Sequence, residues 1–217
     1  MIQHIDKIFL LHCPDQVERL DFQKFQFELH NLEYEIHNCD FIDKANGFMN
    51  KSIKSCYLSH IKIIEKIINL NSICLILEDD AGLLTSPSSI SQDLDAILKN
   101  ENEWDMIYLY PPHLDGSLIK KKNKRYSSAK LVLNTHAYII NPLSIKKIHK
   151  ALISYYSLID SSKSKYITLC HIDRIYAHKL HEHLKVFCTN DTHFTQNKKF
   201  GSTLGWGWNN TEKIIEE

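Results

Sequence analysis

The sequence is poor in the residues that break or cross-link a chain. Its 217 residues include only six glycines and five prolines, too few for a disordered chain or for the dense turns of an all-β fold. Its six cysteines are scattered, mostly within apolar stretches, and no C-x-x-C pair occurs. We therefore expect buried free thiols in a reducing compartment rather than disulfides or a cysteine-bound zinc ion.

Long apolar runs and an excess of charge are also missing. No stretch approaches the roughly 18 consecutive apolar residues of a membrane span, and the amino terminus lacks the features of a cleaved signal peptide. The 26 basic and 26 acidic residues balance, which argues against a general nucleic-acid-binding protein. We expect a single cytoplasmic domain over 1–217, with peripheral membrane association as the only membrane contact compatible with these features.

Several motif classes are absent too. The sequence has no G-x-G-x-x-G, no P-loop and no G-x-S-x-G, which excludes dinucleotide-binding, Walker-type and serine-hydrolase proteins. His178, His181 and His183 lie close together in the chain, but their spacing fits no standard set of zinc ligands. We expect these histidines on the surface of a helix instead.

The most informative stretch present is ICLILEDDAG at 73–82. Its first five residues are apolar, which predicts a strand buried on both faces of a parallel sheet. Glu78, Asp79 and Asp80 follow at its carboxyl end, where open α/β sheets place their ligand crevice. Carboxylates there suit Mg²⁺ or Mn²⁺, which often bridge to substrate phosphates. The alternative is that the three acids begin a solvated turn.

Strands and helices alternate through the first half of the chain, the pattern of a parallel sheet covered by helices on both faces. Strands are predicted at 5–11, 34–41, 73–78, 104–110, 131–133, 136–140 and 185–188. Helices are predicted at 14–31, 52–70, 94–98, 142–153 and 173–183, with polar connections at 86–91 and 154–166. Segment 113–130 is predicted to be a variable loop, either solvated or a flap that meets an anionic acceptor, and 189–217 a carboxyl-terminal tail.

The acidic stretch and the helix before it resemble glycosyltransferase family 25, which includes lipooligosaccharide sugar transferases and is related to collagen galactosyltransferases. The resemblance is carried by CYLSH at 56–60 and LEDD at 77–80, in that order and at similar spacing. Weaker similarity spans 5–202 and includes Arg19, Trp104-Asp105, 135–140, Ile172-Asp173, Gln196 and Ser202. Ser55 stands where the family usually has glycine, and neither the basic loop nor the Gly-Trp-Gly-Trp tail matches the family.

The resemblance implies a fold and an activity. The fold is a GT-A-type, Rossmann-like mixed sheet flanked by helices. The activity is an inverting transfer of a hexose, galactose or glucose, from a UDP-sugar to a glycan, glycolipid or glycoprotein acceptor. It also implies Mn²⁺ or Mg²⁺ as cofactor, bound directly by Asp80, while Glu78 or Asp79 orients the ribose or a metal-bound water. Such an ion would bridge the two phosphates and act as a Lewis acid.

Two further roles are implied, each with an alternative. An inverting transfer needs a general base, and Asp173 is the residue that the resemblance suggests. Asp173 could instead cap the helix that follows it. Arg19 could contact the diphosphate, or it could pair with Asp15 four residues earlier on its own helix.

Three more residues are candidates for the donor and metal sites. Ser59 and His60 lie near a helix start and could reach the nucleotide sugar, although His60 shares a helix face with Ile64 and Ile67 and could simply be packed there. His193 is the candidate for a late-chain metal ligand, with a surface or packing role as the alternative.

Two rival functions use the same residues. A non-catalytic sugar-nucleotide-binding protein would keep the fold and the donor site without turnover. A metal-dependent phosphohydrolase would use the acids on simple phosphoesters, but the sequence lacks a second clear set of metal ligands for two-metal hydrolysis.

Overall fold

The computed structural model of the protein describes residues 1–40, 42, 51–112, 119–161 and 171–201. The strands in these ranges are β1 (Lys7–His12), β2 (Glu35–Asn38), β3 (Cys74–Glu78), β4 (Ala81–Leu83), β5 (Met106–Tyr108), β6 (Ile119–Lys121), β7 (Tyr126–Ala129), β8 (Ala137–Ile140), β9 (Val186–Thr189) and β10 (Phe194–Gln196). The α-helices are α1 (Val17–Leu29), α2 (Lys51–Ile67), α3 (Pro87–Asn100), α4 (Ile145–Ser161) and α5 (Ile172–Ile175), which continues as a π-helical turn at Tyr176–Leu180.

Eight of these strands form one sheet in the order β2-β1-β3-β8-β5-β9-β7-β6. β1 pairs in parallel with both β2 and β3, and β5 pairs in parallel with β9. β8 is antiparallel to both β3 and β5, and β7 is antiparallel to both β9 and β6. β7 and β8 therefore run opposite to the other six strands. The predicted fold class, a mixed α/β sheet flanked by helices, is confirmed.

The core lies on both sides of β3, as its apolar run predicts. Residues 74–77 are at most 1% exposed, and β3 has a paired strand along each edge. α2 covers this part of the sheet with a broad apolar stripe in which Ile63 and Ile64 are fully buried. Strand and helix thus follow directly from an unbroken apolar run and a helical apolar period.

Several segments differ from the sequence prediction, among them residues 131–133, which are predicted as a strand and form none. Residues 86–91 form the start of α3, because the Ser86 hydroxyl caps it and Pro87 occupies its first turn, where a missing N–H costs nothing. α4 runs to Ser161, through part of the segment predicted as a loop. The segment 113–130 contains the β6–β7 hairpin at the sheet edge, and its residues 113–118 lie outside the described ranges.

The carboxyl-terminal segment also contributes structure. β10 pairs antiparallel with β4 to form a separate two-stranded sheet, and a 3-10 turn follows at Lys198–Phe200. The remainder of the predicted tail, 202–217, lies outside the described residues. This pairing matters for the site because it brings Gln196 and Asn197 to the end of β3, where the Asn197 N–H donates to the Asp80 carbonyl at 2.8 Å.

Helix α1 buries two glutamines beside Phe27 and leaves three apolar side chains in solvent. Gln23 and Gln26 are buried, whereas Val17, Phe25 and Leu29 are 62–66% exposed. The Gln23 and Gln26 amides donate to the Ala81 carbonyl at 2.8 and 2.9 Å, and Gln26 Oε1 accepts from the Leu83 N–H at 2.9 Å. These amides satisfy backbone groups of β4 that would otherwise be buried without partners.

The described cysteines are unpaired, but only Cys74 and Cys188 are buried, so the expectation of buried thiols holds for two of the five. Cys13, Cys39, Cys56, Cys74 and Cys188 are free thiols, and Cys170 lies outside the described residues. Among the residues that the structure describes, no helix combines the length and the apolar character needed to cross a membrane.

Asp105, which precedes β5, joins three elements at the end of the sheet remote from the acidic cluster. Its carboxylate accepts from the Lys185 N–H at 2.7 Å and from the Ser144 hydroxyl, and it lies 2.5 Å from Lys147 Nζ. Burial alone would raise the pKa of Asp105, but these three donors outweigh it and hold that pKa below its usual value. Asp105 thereby fixes the starts of α4 and β9 against β5.

We expect Asp105→Ala to lower the free energy of unfolding by about 1–3 kcal/mol, because it leaves buried donors without an acceptor. Lys147→Ala is the matched control and should cost less than about 1 kcal/mol, because the Lys147 side chain is 54% exposed. Urea denaturation of both variants at neutral pH makes the comparison. Equal losses would show that the ion pair, and not the buried hydrogen bonds, carries the effect.

Candidate functional site

A cavity of about 320 Å³ opens at the carboxyl ends of β1 and β3. The residues that line it come from the ends of β1, β2 and β3, from α1, α2 and β10: Leu11, Cys13, Arg19, Cys39, Ile42, Lys51, Ser52, Ser55, Cys56, Ser59, His60, Glu78, Asp79, Asp80 and Gln196. Six of the sequence-predicted site residues are therefore brought together in one crevice, at the edge of the sheet that the strand pattern predicts.

A smaller cavity of about 80 Å³ adjoins the first. Asp173, Asn134 and Thr135 line it, and it shares Cys56, Glu78 and Gln196 with the larger cavity. Glu78 thus lies between the predicted donor-binding residues and the predicted base. Two adjacent compartments of this kind could hold two parts of a reaction, or two substrates.

Asp79 is fully occupied by partners from the protein itself. Its Oδ1 accepts from Arg19 Nη1 at 2.8 Å, and its Oδ2 accepts from the Cys13 N–H at 2.8 Å and lies 3.0 Å from His12 Nδ1. The side-chain amide of Gln23 donates to its carbonyl at 3.1 Å. Because both carboxylate oxygens are used, the observed effect of Asp79 is to hold α1 and β1 against the end of β3.

Asp80 differs from its neighbour because one of its oxygens has no partner. The residue is 8% exposed, its Oδ1 is buried without a hydrogen bond among the described residues, and its Oδ2 lies 3.7 Å from Arg19 Nη1. Burial and the charge on Glu78 raise the pKa of Asp80 to about 7, although Arg19 acts in the opposite direction. A cation beside this oxygen would favour the ionised form.

Glu78 is held by two neighbours that favour its charged form. Its Oε1 accepts from the Thr135 hydroxyl at 2.6 Å and lies 3.4 Å from His60 Nε2, a contact without hydrogen-bond geometry. Burial alone would raise the pKa of Glu78, but His60 and Thr135 outweigh it and lower that pKa. The other His60 nitrogen, Nδ1, is 2.8 Å from the Tyr138 hydroxyl.

Arg19 and Ser59 have partners that the sequence does not reveal. Arg19 pairs with Asp79, not with the nearby Asp15, and its Nη2 donates to the Gly201 carbonyl at 2.8 Å. The Ser59 hydroxyl donates to the Ser55 carbonyl at 2.7 Å and accepts from the Asp40 N–H at 3.2 Å, which joins α2 to the end of β2. Both side chains still line the larger cavity.

Asp173 lies in the first turn of α5, but it does not cap that helix. His171 occupies the N-cap position, so the capping alternative is wrong. Asp173 Oδ1 accepts from the Arg174 N–H at 2.7 Å, and its Oδ2 accepts from the Asn134 N–H at 3.2 Å. The carboxylate is thereby oriented at the wall of the smaller cavity.

His193 lies at the far end of the β4–β10 pair from Asp80, and both of its ring nitrogens have partners. Nδ1 is 2.6 Å from the Thr85 hydroxyl, and Nε2 is 3.0 Å from Asp93 Oδ2. Asp93 also accepts from Arg125 at 2.7 Å. A metal at His193 would have to displace one of these bonds, so the structure gives it a packing role that joins β10 to α3.

The three histidines after α5 do not all face solvent. His181 is fully buried, with Nε2 3.1 Å from the Tyr108 hydroxyl and Nδ1 accepting from the Val132 N–H at 3.3 Å. Burial lowers the pKa of His181 to about 3, so this ring is neutral. The expectation of a surface position is therefore wrong for His181, whereas His178 and His183 are exposed.

Sequence reasoning missed the residues that support the acids. His12, Gln23 and Gln26 are buried around Asp79 and β4, and Thr135 holds Glu78. A signal for the glutamines was present, since Arg19, Gln23 and Gln26 follow i, i+4, i+7 spacing and share one face of α1. A polar stripe at helical spacing indicates contact with buried polar groups elsewhere.

The site offers a divalent cation one free carboxylate oxygen. Within the described ranges, no three His, Cys, Asp or Glu side chains are grouped as metal ligands. Asp80 Oδ1, buried and unpartnered in a wall of the larger cavity, does fit such an ion. The remaining ligands would have to be water and substrate oxygens, as is common for Mg²⁺.

Comparison with known proteins identifies a family. The family model described as "Glycosyltransferase family 25 (LPS biosynthesis protein)" matches residues 22–163. These residues include the acidic cluster and most of the larger cavity. No curated protein matches the chain by sequence.

Solved structures resemble this chain at low sequence identity. A glycosyltransferase involved in the glycosylation of the major capsid of PBCV-1 is 9% identical, with a TM-score of 0.50 over 85% of this chain and 81% of that one. The mannose-1-phosphate geranyltransferase of Thermus thermophilus is 9% identical, with a TM-score of 0.44 over 96% of this chain. This chain spans 64% of that protein. The galactosyltransferase LgtC, solved with donor and acceptor sugar analogs, is 11% identical, with a TM-score of 0.39 over 76% of this chain and 69% of that one.

We expect Asp80→Asn to stabilise the metal-free protein at about pH 8 by about 2–4 kcal/mol. The Asp80 pKa is raised in the folded protein, so its contribution to stability is present below about pH 4 and is lost as the pH rises through about 7. Asparagine cannot ionise, so the variant avoids this loss. Urea denaturation with a chelator, across about pH 4 to 8, measures the difference.

Asp79→Asn is the matched control for this prediction. It should destabilise the protein at about pH 8, because it weakens the partner of a buried arginine. If the stability of Asp80→Asn relative to the wild type did not increase between about pH 4 and 8, Asp80 would not be the unpartnered acid of the site.

Proposed function

This chain belongs to glycosyltransferase family 25, and we propose that it transfers a hexose, galactose or glucose, from a UDP-sugar to a glycan, glycolipid or glycoprotein, inverting the anomeric centre. The observation that carries the proposal is the free Oδ1 of Asp80 in the larger cavity, on a carboxylate whose other oxygen lies 3.7 Å from Arg19 Nη1. A fixed positive group and an unsatisfied acid, side by side, suit a diphosphate bound together with a divalent cation.

The donor would occupy the larger cavity. Its volume of about 320 Å³ falls within the range of small-molecule sites. Arg19 is held in place by Asp79, so its charge is fixed before the diphosphate arrives, which lowers the cost of ordering it. Ser59 and His60 form the α2 side of this cavity and would contact the nucleotide sugar.

Asp80 would hold Mn²⁺ or Mg²⁺ through its free oxygen. Glu78, the last residue of β3, would support the bound ion. When bound, such an ion neutralises the charge that develops on the departing nucleotide. Arg19 adds a second, permanent positive charge 3.7 Å from Asp80. The chain's own contribution is thus a preorganised site of alternating charge at the leaving group.

The acceptor hydroxyl would enter the smaller cavity. Asp173 lines it and is oriented there by two backbone N–H groups, as a general base must be. Glu78 separates this cavity from the donor site, and its lowered pKa keeps it charged at neutral pH. The arrangement favours Asp173 as the group that accepts the proton.

We expect slow, metal-dependent release of UDP from one UDP-sugar in the absence of acceptor, since a bound and activated donor can be attacked by water. The assay compares UDP-, GDP- and CMP-sugars with Mn²⁺, with Mg²⁺ and with chelator. Asp80→Ala should lower the metal-dependent rate by about a hundredfold or more. Full activity of Asp80→Ala would remove the metal assignment.

The same assay separates the rival functions. A non-catalytic binding protein would show a metal-dependent thermal shift with UDP and no turnover with any donor and acceptor. A phosphohydrolase would release phosphate from simple phosphoesters and show no preference for a sugar nucleotide. No turnover with any donor, together with no thermal shift on adding UDP, would contradict the proposed donor site.

We expect Asp173→Asn to lower the transfer rate by about 10²–10⁴-fold while leaving UDP affinity unchanged. Asparagine has a single side-chain oxygen, so it keeps one of the two hydrogen bonds from the Asn134 and Arg174 N–H groups, and it cannot accept the proton. Turnover with acceptor and the UDP thermal shift, measured on the same preparation, test both halves. Unchanged turnover would rule out Asp173 as the base, and loss of UDP binding would place it in the donor site.

A further inference from the structure

Two cysteines lie side by side at the rim of the larger cavity. The parallel ladder of β1 and β2 pairs His12 with Asn38, and the Cys39 N–H donates to the His12 carbonyl at 2.7 Å. The next positions along the two chains are Cys13 and Cys39. His12 and Asn38 are the last paired residues of the two strands, so Cys13 and Cys39 follow them in register, and both residues line the cavity.

The spacing of neighbouring strands suits a disulfide. Adjacent strands lie about 4.8 Å apart, within the ~4.4–6.8 Å between Cα atoms that a disulfide spans. The Cβ atoms would have to approach by about 1 Å to reach their usual separation in a disulfide. Cys13 and Cys39 follow the last paired residues of β1 and β2, where the chain has left the regular ladder and can supply this movement.

We propose that Cys13 and Cys39 form a thiol–disulfide exchange site, at which a low-molecular-weight disulfide oxidises the pair to an intramolecular disulfide that closes the larger cavity. One cysteine attacks the small disulfide, forms a mixed disulfide and releases one small thiol. The second cysteine attacks that mixed disulfide and releases the other small thiol. The two protein thiols lose two electrons, the small disulfide gains them, and the cysteine protons pass to the released thiols through solvent.

Closure would act on the donor site through Asp79. The Cys13 N–H donates to Asp79 Oδ2, and the other Asp79 oxygen holds Arg19. Joining Cys13 to Cys39 moves this backbone toward β2 and places two bonded sulfur atoms in the cavity wall. The loss of donor binding rests on the proposed function, whereas formation of the disulfide does not.

The site should react slowly at neutral pH. Burial raises the pKa of Cys13, and burial likewise raises the pKa of Cys39 to about 12. Only the thiolate attacks a disulfide, so exchange should accelerate as the pH rises. This behaviour suits a site that responds to sustained oxidising conditions and not to brief ones.

The test uses the whole chain treated with oxidised glutathione. We expect the wild-type protein to lose two hydrogens in intact mass and to yield a linked Cys13–Cys39 peptide. Cys13→Ser and Cys39→Ser should instead retain a mixed disulfide with glutathione. Cys74→Ser, which alters a buried thiol at the other end of β3, should behave like the wild type. A stable mixed disulfide in the wild type, or pairing with Cys56, would overturn the proposal.

UDP binding then tests closure. Oxidised wild-type protein should bind UDP at least tenfold more weakly than reduced protein, and dithiothreitol should restore the affinity. In the two serine variants, treatment with oxidised glutathione should weaken UDP binding only modestly, through the retained adduct. A linked peptide with unchanged UDP affinity would overturn the closure. A linked peptide in a protein that never binds UDP would contradict the proposed function and leave the exchange site established.

Discussion

The buried ion pair between Asp79 and Arg19 is the contact on which the site depends. It connects α1 to the end of β3, and its partners extend to β1 through Cys13 and to the carboxyl-terminal segment through Gly201. Breaking a buried pair by removing one member typically costs about 3–5 kcal/mol, because the remaining charge is left uncompensated. The same contact orders the charged groups of the cavity, so that stability of the fold and preparation of the site cannot be separated here.

Adjacent acids in one sequence stretch have three different environments. Asp79 has every oxygen occupied, Glu78 is held charged by Thr135 and His60, and Asp80 is left with a free, buried oxygen. The difference arises because the strand ends at Glu78 and the chain turns, so that successive side chains no longer alternate between two faces. One acid maintains the structure, and another is left strained and available, as expected where function competes with stability.

The sequence predicted what depends on local pattern. The apolar run of β3, the helical stripe of α2 and the position of the acids at a strand end all follow from periodicity, and the resemblance placed them in the right fold. It could not predict which acid Arg19 contacts, because that partner lies 60 positions away. The sequence also could not predict that Phe25 lies in solvent while Gln23 and Gln26 of the same helix are buried, because the glutamines bond to backbone groups of β4 that are distant in the chain.

The antiparallel position of β8 has a consequence for how the chain folds. β8 pairs with both β3 and β5, so the two parallel parts of the sheet cannot join until residue 140 has been synthesised. Asp80 gains its last backbone partner, Asn197, later still. The apolar edge of β3 must therefore persist without its β8 neighbour while more than a quarter of the chain is made. During this period, association with other chains competes with folding.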